Sequence, residues 1–246
     1  MAVMTLRTLL AMVASLALLG FAGNTRADPD AIETPASNWN GSLAVASRYT
    51  SRGLDITDGI LSPQAGIEYH TASGWYANEF VAKIRYFGMT VEADANVGLR
   101  GTRGPLQYDL GLYYYAYPDA VHTLHSNFAE VGGRFTWAQG RVHPVLELYL
   151  SNNYFFGAGA GLFANTGADV TLPGQVALSA RFGYVTVRDN KAFVYPDYTT
   201  WSIGLTRSFG AWDLSTQLTD TSMHRWQCLH EDRCDRKVAL RIARNF

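Results

Sequence analysis

The chain has 246 residues, with 20 Lys and Arg against 21 Asp and Glu, 48% hydrophobic and 17% charged. That length suits one large β domain or two small ones, and the low charge with 13% aromatic residues and 23 Gly excludes disorder. A net charge of −1 excludes nucleic acid as the main partner, because phosphate binding needs a basic excess.

The N-terminus reads as an address. Arg7 precedes an apolar stretch from Leu9 to Phe21, and small and polar residues follow as far as Thr25-Arg26-Ala27. This is the pattern of a secretory signal peptide over residues 1–27, cleaved after Ala27, with Ala22 as a second candidate. Beyond it no apolar run approaches the ~20 residues of a spanning helix, so a helical membrane protein is excluded. A transmembrane β-barrel is not, because alternating strands average out on a hydropathy scale.

After a short segment over residues 28–37, the chain reads with period two. Twelve segments are expected, at 39–51, 61–70, 74–87, 90–100, 105–116, 126–138, 141–152, 158–171, 175–188, 197–209, 211–222 and 236–246. In the fourth, Val91, Ala93, Ala95, Val97 and Leu99 share one face, while Glu92, Asp94, Asn96 and Arg100 share the other. In the third, Tyr76, Phe80, Ala82, Ile84 and Tyr86 oppose Glu79, Lys83 and Arg85, so the even face is assigned to lipid. Most segments are long enough to cross a bilayer at a tilt, which takes about 9–11 residues.

The connections sort by length. Thr71–Ser73, Gly101–Gly104, Gln139-Gly140, Leu172–Gly174 and Gly210 are short. Arg52–Ile60, Tyr117–His125, Asn153–Gly157, Asp189–Pro196 and Met223–Asp235 are longer, and only the link near Gly88-Met89 breaks the rule. Short turns at one end and long loops at the other describe an antiparallel up-and-down barrel of about twelve strands over 38–246 with both termini in the periplasm. Arg207 and Arg244 interrupt apolar faces near strand ends, where basic side chains can snorkel. The alternating close Val238-x-Leu240-x-Ile242-x-Arg244-x-Phe246 reads as an assembly signal ending in Phe246.

Several short pieces carry a resemblance over the whole mature chain. They are Tyr49-Thr50-Ser51-Arg52-Gly53 with Thr57-Asp58-Gly59, Gly74-Trp75-Tyr76, and Tyr113-Tyr114-Tyr115-Ala116-Tyr117-Pro118 with Asn127 and Glu130. Leu172-Pro173, Gly183-Tyr184, Phe209-Gly210, Thr219-Asp220-Thr221 and the pair Cys228 and Cys234 complete the set. On these residues the chain resembles the TorF family of porins, a conserved hypothetical proteobacterial family also called Gcw_chp. The resemblance implies an outer-membrane barrel more than it implies an activity, since the name porin itself rests on barrel shape.

Chemistry-bearing motifs are few. Cys228 and Cys234, in the longest loop of an exported chain, read as a disulfide. His224, Cys228, His230 and Cys234 also form four possible zinc ligands at a non-standard spacing. His122 and His125 could hold a metal weakly. No G-x-S-x-G or H-E-x-x-H occurs, so the expectation is a non-enzyme without catalytic residues, cofactor or resident metal. By parity, Arg48, Lys83, Arg85, Arg100, Arg134, Arg181, Lys237 and Arg241 point into the lumen. Glu68, Glu79, Glu92, Asp94, Asp109, Glu130, Glu147 and Asp213 do the same, giving a balanced set of pore-lining charges. The expected function is passive passage of small hydrophilic solutes across the Gram-negative outer membrane. The alternative is a closed structural or surface barrel working through its loops. Expected partners are outer-membrane lipids, the barrel-assembly machinery during biogenesis, and small solutes.

Overall fold

The computed structural model describes residues 38–246. The expected signal peptide over 1–27, its cleavage at Ala27 and the segment 28–37 lie outside these residues. In chain order the strands are β1 (Trp39–Ala46), β2 (Thr50–Ser51), β3 (Leu54–Asp55), β4 (Ser62–His70), β5 (Trp75–Tyr86), β6 (Met89–Arg103) and β7 (Leu106–Ala116). Then come β8 (Phe128–Trp137), β9 (Val142–Ser151), β10 (Gly161–Leu172), β11 (Val176–Val187), β12 (Tyr198–Phe209), β13 (Trp212–Thr221) and β14 (Lys237–Asn245). Twelve of them close into one antiparallel barrel, and β2 and β3 form a separate two-stranded hairpin. No helix of the described residues is long and apolar enough to cross a membrane.

Closure removes both sheet edges, so every wall strand finds two hydrogen-bonded neighbours. At the seam β1 runs against β14, with Ser42 opposite Asn245 and Ala46 opposite Arg241. Phe246 extends the seam: its N–H donates to the Gly41 carbonyl at 3.0 Å, and Gly41 N–H returns a bond to the Phe246 carbonyl at 2.7 Å. The Phe246 ring lies across Gly41 so closely that a Cβ there would meet it at 2.3 Å. Gly41 is therefore the residue that lets the terminal aromatic seat.

The wall follows the period-two pattern. Leu43, Val97, Leu112, Leu148, Phe182, Ile203, Leu214 and Leu240 project from the barrel and stay exposed. A largely apolar exterior of this kind is what lipid solvates. Trp39, Trp75, Trp137 and Trp212 project at the short-turn end, forming an aromatic ring there. Arg207 and Arg244 lie on the outer face at the same end, opposite Leu214 and Trp212 respectively; the Arg244 guanidinium sits 5.8 Å from the Trp212 ring centre.

One strand reverses its expected faces. In β5 Glu79 lies opposite Ile67 and Ala95, both on the outer wall, and Lys83 lies opposite Val91. Glu79, Lys83 and Arg85 thus face outward and are exposed, while Tyr76, Ala82, Ile84 and Tyr86 face inward and are buried. The reason is packing. The loop end of the barrel is filled by an aromatic core containing Ile84, Tyr86, Met89, Tyr117, Phe128, Tyr154, Phe155, Phe193, Tyr195 and Tyr198. Ile84 and Tyr86 on β5 serve that interior core rather than lipid, and Tyr76, nearer the short-turn end, turns inward to Asp109 and Arg100.

The first segment also departs from expectation. Its periodicity predicts a strand to residue 51, but the wall strand stops at Ala46. Beyond it Ser47 to Leu61 leaves the wall, makes the β2–β3 hairpin and returns at Ser62. The other long connections sit over the loop end, and the link between β5 and β6 is a two-residue turn with Phe87 at φ 49° and Gly88 at φ 81°, as such hairpins require.

Candidate functional site

The interior divides into a charged wall, a hydroxyl and amide wall, and a strap that crosses between them. On the charged wall, inward positions of β4 and β6 to β11 bring arginines to carboxylates. Arg100 donates to Glu68 at 2.7 Å and to Asp109 at 2.8 Å, and stacks 3.8 Å from the Tyr76 ring centre. Arg134 donates to Glu147 at 2.8 Å and to Asp169 at 2.7 Å, and Arg181 reaches the other Asp169 oxygen at 2.6 Å. These groups are part-exposed to the lumen, with 43% of the Arg100 and 38% of the Arg134 side chain accessible. Pairs of that kind contribute about 0–1 kcal/mol each, so they shape the local field more than they hold the barrel together.

The strap is the Ser47–Leu61 connection, and its contacts reach strands around the whole barrel. Tyr49 donates from its hydroxyl to Glu92 on β6 at 2.8 Å. Arg52 donates to Glu130 on β8, with 11% of its side chain and none of the Glu130 side chain exposed. The Arg52 guanidinium also lies 4.8 Å from the Phe163 ring centre on β10. Tyr198 on β12 donates to the Arg52 carbonyl at 3.1 Å, and Thr50 donates to Gln217 on β13 at 3.3 Å. Contacts to β6, β8, β10, β12 and β13 place the strap across the lumen rather than over it.

Local chemistry explains why the strap holds its shape. Asp55 takes Arg48 on one oxygen at 2.5 Å, and the Thr57 N–H and hydroxyl on the other at 2.8 and 2.6 Å. Gly53 sits at φ +88°, and a Cβ there would meet Thr200 Oγ1 at 2.3 Å, so both backbone and space demand glycine. The Ile56 carbonyl accepts from Arg85 N–H at 2.9 Å, tying the strap back to β5. Tyr117, with its N–H capped by Asn127 at 2.8 Å, gives Glu92 a second hydroxyl at 2.9 Å.

Of the sixteen charges expected inside, thirteen point inward: Arg48, Glu68, Glu92, Asp94, Arg100, Asp109, Glu130, Arg134, Glu147, Arg181, Asp213, Lys237 and Arg241. Glu79, Lys83 and Arg85 do not, for the packing reason already given. Asp169 belongs to the charged wall as well, beyond the sixteen expected, and its parity with Asn165 and Thr171 on β10 is the signal that marks it as inward. Arg52 and Asp55 had no such signal, because strand parity says nothing about a segment that leaves the wall.

The long loop between β13 and β14 closes on a Cys228–Cys234 disulfide, Cα to Cα 6.2 Å, with both residues fully buried. The zinc alternative thereby loses two of its four ligands. Among the described residues no group of three or more His, Cys, Asp and Glu is placed to hold a metal ion. Lys237 reaches Asp232 of this loop at 2.7 Å, and the Lys237 hydrogen bond holds the Asp232 carboxyl below the usual range. Asp197, at the end of the β11–β12 loop, is pushed up by burial but more strongly down by hydrogen bonds from Thr186, Val187, Asn190 and Tyr184, and ends low.

A closed twelve-strand antiparallel barrel with a largely apolar exterior, charged interior and inward strap has the architecture of a transmembrane β-barrel. The chain belongs to the bacterial family of unknown function Gcw_chp, whose model matches residues 32–246. Among solved structures it is similar to the KdgM porin, with TM-score 0.56 and 8% identity over 84% of this chain and 98% of that one. A second KdgM structure, in complex with disordered oligogalacturonate, gives TM-score 0.57 at the same identity and coverage. The NanC porin gives TM-score 0.54 and 7% identity over 82% and 97%. No curated protein matches the sequence.

Proposed function

We propose that this protein is an outer-membrane porin giving passive passage to small hydrophilic solutes through a lumen narrowed by the Ser47–Leu61 strap. The observation that carries the reading is the interior: a barrel whose inward positions are arginines, carboxylates, hydroxyls and amides over the short-turn half is built around water rather than around an apolar core. Polar side chains in an unhydrated interior of this size would cost several kcal/mol wherever a partner was missing. Passage is selective by size because the strap and its aromatic surroundings occupy the loop half. The chain ends then lie on the periplasmic side, Phe246 closes the seam as the assembly signal, and the exterior meets outer-membrane lipid.

The aromatic core at the loop end favours a second reading, a closed barrel whose outer surface is the working part. A planar bilayer separates the two. Purified full-length protein is expected to give discrete conductance steps in 1 M potassium chloride, smaller than those of an unobstructed sixteen-stranded porin. Correctly folded, heat-modifiable protein that stays silent would leave the closed barrel as the function.

A further inference from the structure

Beneath the strap, on the wall opposite the arginine–carboxylate pairs, lies a cavity of about 290 Å³. Arg48 and Thr50 of the strap form its roof, while Gln64, Ser179, Gln217 and Arg241 contribute from β4, β11, β13 and β14. Its volume is at the small end of ligand pockets, which run about 300–1,000 Å³. Its lining is unusual for an interior in one respect. Arg48 is neutralised by Asp55, and the other inward arginines each hold a carboxylate. Arg241 instead donates from Nε to the neutral Gln64 Oε1 at 3.1 Å. Asp213, inward on the adjacent strand, gives its oxygens to Ser208 at 2.6 Å and Asn245 at 2.8 Å. Among the described residues the cavity therefore carries one guanidinium whose charge meets no carboxylate within salt-bridge distance, surrounded by hydroxyls and side-chain amides.

We infer that this cavity is a binding site for a small hydroxylated monocarboxylate, with Arg241 holding the carboxylate and the Thr50, Ser179, Gln64 and Gln217 side chains serving the hydroxyls. A guanidinium offers a planar fork that matches a carboxylate and makes hydrogen bonds stronger than neutral ones. Hydroxyl and amide groups, being both donors and acceptors, suit a polyol chain better than an apolar or bare inorganic anion. A dicarboxylate is disfavoured, since Asp55 already takes the second guanidinium. The site deepens the porin reading by giving the channel a resting place for an anionic solute just below its strap, and it rests on that reading for the solute's route of entry.

The test uses full-length protein in detergent, titrated calorimetrically with gluconate, with sorbitol as the same polyol lacking the carboxylate, and with acetate as the carboxylate lacking the polyol. Gluconate is expected to bind at least about tenfold more tightly than either, and Arg241→Gln to weaken it at least about tenfold, the range of one hydrogen bond to a charged group. Arg241→Lys, which keeps the charge without the fork, is expected to fall between. Heat-modifiable migration and strand content report that each variant is folded. Absence of gluconate binding, equal binding of sorbitol or acetate, or an affinity unchanged in folded Arg241→Gln would overturn the site. Conductance is read separately in planar bilayers. Conducting protein that ignores gluconate overturns the site and leaves the porin; silent protein that binds gluconate through Arg241 supports the site and overturns only the porin.

Discussion

At the scale of single residues, the interior and exterior charges of this barrel obey different arithmetic. Arg52 and Glu130 are both nearly sealed from solvent, so removing one partner strands the other in a poorly solvated place. Arg52→Met is expected to cost the strap about 3–5 kcal/mol, whereas Arg52→Met with Glu130→Leu recovers most of it, because neither variant side chain then needs water. Protease nicking within residues 47–61 on folded barrels measures this; equal nicking of the wild type and Arg52→Met would remove the pair from any role in holding the strap. Glu79 is the opposite case, a carboxylate on the apolar exterior between Ile67 and Ala95. An acidic group there costs less than the ~2–4 kcal/mol of a midplane arginine or lysine. Glu79→Leu is expected to stabilise the folded barrel by up to about 2 kcal/mol in urea refolding with lipid vesicles. A loss of stability would show that Glu79 is held by a partner rather than bathed in lipid.

At the scale of elements, the twelve wall strands were legible because lipid outside and polar groups inside impose period two on nearly every one of them. In β5 the alternation holds but the faces are exchanged, for a physical reason. Tyr76, Ile84 and Tyr86 look like lipid-facing residues by type, but Ile84 and Tyr86 join an interior aromatic core and Tyr76 turns inward to Asp109 and Arg100. The strap was hidden for a related reason. Its fixing contacts join Tyr49, Arg52 and Thr50 to Glu92, Glu130 and Gln217, tens of residues away, and no local periodicity encodes them. What the sequence did offer was the family-like run Tyr49 to Gly53 with Thr57 to Gly59, and the structure turns these residues into the strap. The loops over the barrel end carry their own pH dependence. Asp197 and Asp232 have carboxyls held below the usual ~3.9 of aspartate, so both remain charged, and their loops remain tied, above that value. As pH falls through the depressed values both protonate, and the stabilisation is lost. Deuterium exchange, corrected for intrinsic rates, is expected to show residues 188–197 and 222–236 opening below about pH 4 while the wall strands stay protected. Unchanged loop protection down to about pH 2 would mean that these carboxylates do not tie the loops.

At the scale of the whole molecule, wall and strap are separable structures sharing one interior. The wall is held by inter-strand hydrogen bonds that close on themselves, and the strap adds to it only at its margins, where Ser47 N–H donates to the Leu240 carbonyl and the Ile56 carbonyl accepts from Arg85 N–H. This separation sets a direct test of what narrows the lumen. Replacing residues 48–60 with a short Gly-Ser connector leaves every wall pairing intact, because β1 ends at Ala46 and β4 begins at Ser62. The shortened chain is expected to remain heat-modifiable and to insert normally, though Glu92 and Glu130 lose their strap partners and must draw water into the loop half. Water entry there is the change that raises conductance, so single-channel steps are expected to grow several-fold over those of the wild type, with weaker discrimination by solute size. If the wild type is silent and the shortened chain conducts, the strap is a closed gate rather than a constriction. If both give the same steps, the narrowest point lies along the charged wall, and the Arg100 and Arg134 clusters become the place to look for the size limit.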